Sequence, residues 1–186
     1  MAEIFPLQPA DAELVVDLAN EFYPPKFALT RDQVFRNLEA AKKARCNLCY
    51  GIDLTGEFIG YLLAWVENTR VDGVREPVVL VDDICIVPEA RHLLFSLFSA
   101  LRKGIDEGGW GNLHLESAAR VEVEAMYNQH PKVIERLGFR LTQQARYFSK
   151  AVGEELTWMR YSPIQTRYQA GNDGIELSEE LLDDDE

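Results

Sequence analysis

Cysteine is scarce in this chain, and long apolar runs are absent. Three cysteines in 186 residues, an odd number, argue against a disulfide framework and for a reducing compartment. No apolar stretch approaches the roughly 20 residues that cross a bilayer. The opening Met1-Ala2-Glu3-Ile4-Phe5 lacks a basic region followed by an apolar one, so no secretory signal is expected. These absences point to a cytoplasmic protein that does not enter a membrane. Positive charge is thin too: 19 Lys and Arg stand against 31 Asp and Glu, for a net −12. Residues 171–186 contain eight of those acids and no Lys or Arg, which leaves −4 for the body. General nucleic-acid binding needs clustered cations, so it is excluded as a function. The acidic end has the composition of a solvated tail.

What is present suits one soluble domain. The chain is long enough for a full core, and 47% hydrophobic with 27% charged residues is ordinary for such a domain. Ile4-Phe5-Pro6-Leu7 reads as a short strand. Asp11 is placed to cap a helix whose Leu14, Val15, Leu18 and Phe22 recur at helical spacing, and Pro24-Pro25 stops it. Thr30 and Gln33 form a capping box for a second helix with Val34, Leu38 and Ala41 on one face. Strands are expected over 47–52 and 58–66, joined by a hairpin turn through Gly56, and over 78–87. A helix over 91–107 ends at Gly108-Gly109, where Trp110 can cover its end. A short strand at 113–116, a mostly helical stretch over 121–137 interrupted by Pro131, and strands at 138–141 and 146–150 complete the order β-α-α-β-β-β-α-β-α-β-β. That order gives an α/β protein, a mixed sheet with helices on its faces.

The richest stretch is Leu80-Val-Asp-Asp-Ile-Cys-Ile-Val-Pro-Glu-Ala-Arg-His-Leu-Leu-Phe-Ser96, an acid-bearing strand that runs straight into a helix start. A helix start has unpaired N–H donors and a positive dipole end, which suits a phosphate. Asp82 to Arg91 resembles the fourth-strand motif of the GNAT N-acetyltransferase family, and Val133 to Phe139 resembles its Leu-Gly-Phe signature. The likeness spans about residues 3 to 151.

The resemblance implies a GNAT-like, acyl-CoA N-acyltransferase fold: a mixed, mostly antiparallel sheet of about seven strands flanked by helices. It implies acetyl transfer from acetyl-CoA to a small-molecule or protein amine, and a homodimer as a common state. It assigns the backbone of Ile84, Ile86 and Val87 to the pantetheine arm. It assigns Arg91, His92, Leu93, Leu94, Phe95 and Ser96 to the diphosphate. Asp82 and Asp83 alternate along the strand and so are expected to face opposite sides, one toward the cleft. Asp82 matches the acid most often used as base, with a strand-edge acid paired to an arginine or a helix start as the other reading. Leu94 and Ser96 stand where the family has glycines, which weakens the diphosphate site. Ile134 stands at the usual tyrosine position, and Tyr127, seven residues earlier and so about two turns away, is the substitute.

Other candidates come from the residues themselves. His114 and Glu116 share a strand face and can form a base and its orienting partner, or a satisfied histidine beside a surface acid. His130 precedes Pro131 and either lines a cleft or sits on an exposed loop. Cys46-x-x-Cys49 has no second pair for zinc and lies at a strand edge, so small core hydrophobes and no metal are expected. Domain boundaries are expected at 1–152 for the GNAT-like unit, 153–170 for an apolar extension around Trp158, and 171–186 for the acidic tail. A second function follows from the departures: a binding or structural module with a weakened acetyl-CoA site, docking on a protein partner through residues 154–186.

Overall fold

The computed structural model describes residues 2–71, 74–120 and 131–164. Tyr127, His130 and the acidic tail lie outside them. Seven strands form one sheet: β1 (Ala2–Pro6), β2 (Tyr50–Leu54), β3 (Glu57–Val71), β4 (Val74–Ile86), β5 (His114–Arg120), β6 (Phe139–Ser149) and β7 (Glu154–Pro163). Their order is β1-β2-β3-β4-β5-β7-β6. Every neighbouring pair is antiparallel except β4 and β5. The helices are α1 (Ala12–Phe22), α2 (Arg31–Lys43), α3 (Leu94–Glu107) and a short α4 (Pro131–Arg136).

Local chemistry explains most of these elements. Thr30 caps α2 by accepting the Gln33 N–H at 3.3 Å. Thr55 and Gly56, both at positive φ, make the tight turn between β2 and β3. The sheet carries a core on each face. On one side Leu97, Phe98 and Leu101 of α3 pack over Leu62, Val79 and Val81. On the other, Val15, Leu18 and Leu38 of α1 and α2 pack over Tyr61, Leu63 and Cys85. Trp110 stacks so closely on Gly108 that a Cβ there would lie 2.3 Å from its ring. Cys46, Cys49 and Cys85 are all buried free thiols.

Several expectations need correction. Asp11 does not cap α1. Its carboxylate turns back to the Gln8 N–H at 2.8 Å, because Pro9–Asp11 form a 3-10 turn first. The strands expected at 138–141 and 146–150 are one strand, β6. The polar Thr142-Gln143-Gln144 between them reads as a break, but β6 is an outer strand and its residues are mostly exposed. Residues 154–163, expected beyond the fold proper, are β7, lodged between β5 and β6 with Thr157, Met159 and Tyr161 buried. Met159 and Tyr161, assigned to an extension, are therefore sheet core.

Candidate active site

The parallel pairing of β4 with β5 runs from Val78↔His114 to Val81↔Ser117 and stops. Beyond that point β4 continues along β3 to Ile86, and β5 continues along β7 to Arg120. The two strands diverge and leave a gap. The cause lies in β4. Its register against β3 passes from Ala64↔Val81 to Leu63↔Asp83, so Asp82 is the extra residue of a bulge. A bulge bends and twists its strand. It also shifts the alternation: Val79 and Val81 pack in the α3-side core, and so do Ile84 and Ile86.

The same register fixes the backbone. The Val87 N–H bonds the Ile59 carbonyl at 2.9 Å. In an antiparallel pair alternate residues turn both backbone groups to the partner. Cys85 and Asp83 therefore bond towards β3, while Ile84 and Ile86 turn their N–H and C=O groups to the gap.

Asp82 and Asp83, expected on opposite faces, both serve the α1/α2 face, since the bulge removes one step of alternation. Asp83 is a hub there. Tyr23 Oη donates to its Oδ1 at 2.7 Å, Tyr61 Oη to its Oδ2 at 2.6 Å, and the Ile84 N–H to its Oδ1 at 2.9 Å. Tyr23 Oη also lies 3.2 Å from the Ile84 carbonyl oxygen. Burial raises the Asp83 pKa, and the three donors oppose that rise. Both tyrosine hydroxyls are pushed well above the usual range, first by burial and then by the Asp83 charge. For Asp82, burial and then the charges of Asp83 and Glu67 push the carboxyl up to about 6. Asp82 is exposed as a residue, and the two like charges raise its carboxyl in the same direction as burial does.

Glu116 sits elsewhere. It pairs with Leu80, before the gap opens, and is only 4% exposed. Arg160 Nε donates to its Oε1 at 2.8 Å, with Arg160 Nη2 on the same oxygen, and Trp158 Nε1 donates to Oε2 at 3.3 Å. Arg160 Nη1 also contacts Glu76 at 2.6 Å. The Glu116 carboxylate is committed to β7, not to His114, whose Nδ1 is buried without a hydrogen-bond partner. Sequence reasoning missed this because Arg160 lies on the strand read as an extension.

The diphosphate candidates also differ from expectation. The helix does not open at Arg91. Pro88–Leu93 form a 3-10 turn, and α3 begins at Leu94. That turn uses N–H groups on carbonyls three residues back: Ala90 to Val87 at 3.0 Å, and Leu94 to Arg91. Arg91, His92 and Phe95 are exposed, and Ser96 is half-buried. Leu93, Leu94 and Val87 pack against the core, so the two leucines line its margin. Below the gap, Val81, Phe98, Leu115, Ser117, Ile134 and Met159 help enclose an apolar cavity of about 30 Å³. Among the described residues no His, Cys, Asp and Glu side chains gather as metal ligands, and no helix is long and apolar enough to cross a membrane.

On the α1/α2 face the connection after α1 roofs the gap. Tyr23 ties it to β4. Lys26 forms an ion pair with Glu154 of β7, and the Arg120 guanidinium of β5 sits 5.3 Å from the centre of the Phe27 ring. Tyr23 and Tyr61 were not singled out from the sequence. The one local signal was a tyrosine at a helix end before two prolines.

No family model matches the chain, and no curated protein matches it. Solved structures do. A GNAT-family acetyltransferase from Streptococcus pneumoniae aligns with TM-score 0.58 at 16% identity over 86% of this chain and 98% of that one. A ribosomal-protein alanine N-acetyltransferase from Escherichia coli gives 0.58 at 18% over 95% and 100%. Diaminobutyrate acetyltransferase from Paenibacillus lautus, solved with its diamine substrate and coenzyme A, gives 0.64 at 11% over 89% and 96%. The fold shared by all three is that of the chain described above: seven strands, mostly antiparallel, flanked by helices.

Proposed function

We propose that this GNAT-fold protein is an N-acetyltransferase that moves the acetyl group of acetyl-CoA to an amine. The observation that carries the reading is the gap between β4 and β5, with the outward backbone groups of Ile86 on one wall, next to those of Ile84, which already meet Asp83 and Tyr23. An extended arm with amide groups can add to that wall as a strand does. Several solved proteins of this fold hold coenzyme A or an analogue of it, which fits the same use. The diphosphate falls to the turn after Val87, where Arg91 and His92 supply positive or donor groups in place of loop glycines. With the Leu94 N–H already committed, affinity there is modest.

Asp82 is the base. Its carboxyl stands at the bulge beside the gap, and a pKa near 6 leaves it ionised at neutral pH while keeping it basic enough to take a proton. A nitrogen–carbon bond forms at the thioester carbon and the carbon–sulfur bond breaks. One ammonium proton passes through Asp82 to solvent, and a second ends on the departing sulfur. Glu116 we assign to holding β5 on β7. The scaffold reading depended on residues 154–186 docking elsewhere, and the first ten of those residues are the interior strand β7. Calorimetry with acetyl-CoA and with desacetyl-CoA tests the proposal. Saturable heat and a rise in Tm are expected, and their absence at millimolar ligand defeats it.

A further inference from the structure

We propose that Tyr23 is a catalytic hydrogen-bond donor to the thioester carbonyl oxygen, standing at the end of the gap where Ile84 faces it. The inference rests on the acetyl-CoA reading above and adds a residue to it.

The argument begins with depth along β4. Ile86 and Ile84 are the two residues that turn their backbone groups to the gap. They are separated by one full pleat, about 6.8 Å at the strand rise. An arm that enters past Val87 meets Ile86 first. The cysteamine portion spans about that one pleat between its amide and the acyl carbon, so an amide at Ile86 puts the acyl carbon level with Ile84.

At that level the expected backbone donor is already engaged. The Ile84 N–H bonds its neighbour's carboxylate, Asp83 Oδ1, at 2.9 Å. The hydroxyl nearest the outward Ile84 carbonyl is that of Tyr23, at 3.2 Å. Its O–H rests on Asp83 Oδ1 at 2.7 Å, and rotation about the C–O bond can aim it into the gap instead. Asp83 does not lose all support when this happens, because Tyr61 and the Ile84 N–H still hold it.

Two properties suit Tyr23 to this part. Its hydroxyl is held firmly neutral by burial and by Asp83, so it donates without giving up its proton across the working pH range. It is also fixed in place: it caps the end of α1, with its N–H on the Ala19 carbonyl, and Pro24 and Pro25 follow. A fixed donor aimed at a developing oxyanion is worth about 10²–10³-fold in the rate of acyl transfer, more than one that must be ordered during reaction. Ile134, half-buried against the α3-side core, has no hydrogen-bonding group for this task. Tyr61 resembles Tyr23 in bonding Asp83, but it is fully buried and holds the opposite carboxylate oxygen. It serves as the internal control.

The test needs no knowledge of the acceptor. Acetyl-CoA labelled with carbon-13 at the acetyl carbonyl is bound to the full chain, and the carbonyl stretch is read by isotope-edited infrared spectroscopy. Binding of the same ligand is measured by calorimetry in parallel. The expected result is a downshift of the stretch on the parent protein, at least half of it lost in Tyr23→Phe and retained in Tyr61→Phe, with both variants still binding. Retention of the downshift in Tyr23→Phe overturns the inference, and so does an equal loss in both variants, which would mean that the Asp83 hub acts as a whole. If Tyr61→Phe does not fold, the result with Tyr23→Phe alone decides. Calorimetric silence of the parent protein overturns the acetyl-CoA reading itself, a failure distinct from binding without a Tyr23-dependent shift.

Discussion

Arg160→Met should unfold this protein early, and the size of the effect can be worked from the contacts. Arg160 is 5% and Glu116 4% exposed, so the substitution leaves a carboxylate buried without its cation. Breaking one side of a buried pair typically costs about 3–5 kcal/mol. Two features place this case at the low end. The Trp158 indole N–H stays on Glu116 Oε2. Glu76, the second partner, has a side chain 35% exposed and can turn to water. A loss of about 3 kcal/mol in a protein of this size lowers Tm by about 6–12 °C. The double replacement Glu116→Leu with Arg160→Leu should recover most of that loss, because two apolar side chains need no compensation. Thermal and urea unfolding followed by circular dichroism are the assays. An Arg160→Met protein that melts within a degree or two of the parent refutes the reasoning. So does Glu116→Gln with normal Tm and no acetyl transfer, which would return Glu116 to the catalytic role its position in the sequence first suggested.

Other outcomes follow from the same structure. Acetyl transfer should rise with pH through an apparent pKa of about 6, as Asp82 loses its proton; Asp82→Asn should lose that limb and slow turnover by roughly 10²–10⁴-fold, read from pH–rate profiles. Because its folded pKa lies above the ordinary carboxylate value, its contribution to stability is fully present below about 4 and is lost as pH rises through about 6, so urea midpoints of Asp82→Asn should fall less over that window. Gly60→Ala should cost about 1–3 kcal/mol in urea unfolding, since its Cβ would meet Ile86 Cγ1 at 2.9 Å and the Cys85 carbonyl at 3.0 Å. Thr30→Ala should cost about 1 kcal/mol through the lost α2 cap, measured the same way. Lys26→Ala should change stability by less than about 1 kcal/mol, because its ion pair with Glu154 is half in water.

Local signals carried much of the fold. The α2 cap, the Thr55-Gly56 turn, the acid-bearing fourth strand and the stop at Gly108-Gly109 are each written within a few residues, and each stands where its spacing put it. What the sequence concealed depends on distant partners. Whether an apolar segment such as 154–163 forms an interior strand or a docking tail depends on an open edge at β5, far earlier in the chain. The bulge at Asp82 is visible only against β3, so side-chain alternation along β4 alone put Asp82 and Asp83 on opposite faces. Glu116 read as a free acid because its cation is on β7. Tyr23 and Tyr61 join one carboxylate across 38 residues of chain, and nothing near either predicts the meeting.

The placement of β7 constrains how the molecule is made. A nascent chain halted between residues 150 and 153 has emitted β6 with no strand to attach it, and β5 with a bare rim of peptide groups. On the ribosome that rim waits for the β6–β7 hairpin, which must insert as a unit to close the sheet. Chains cut between β5 and β7, at residues 121–153, should therefore be sticky and readily proteolysed rather than shortened but working.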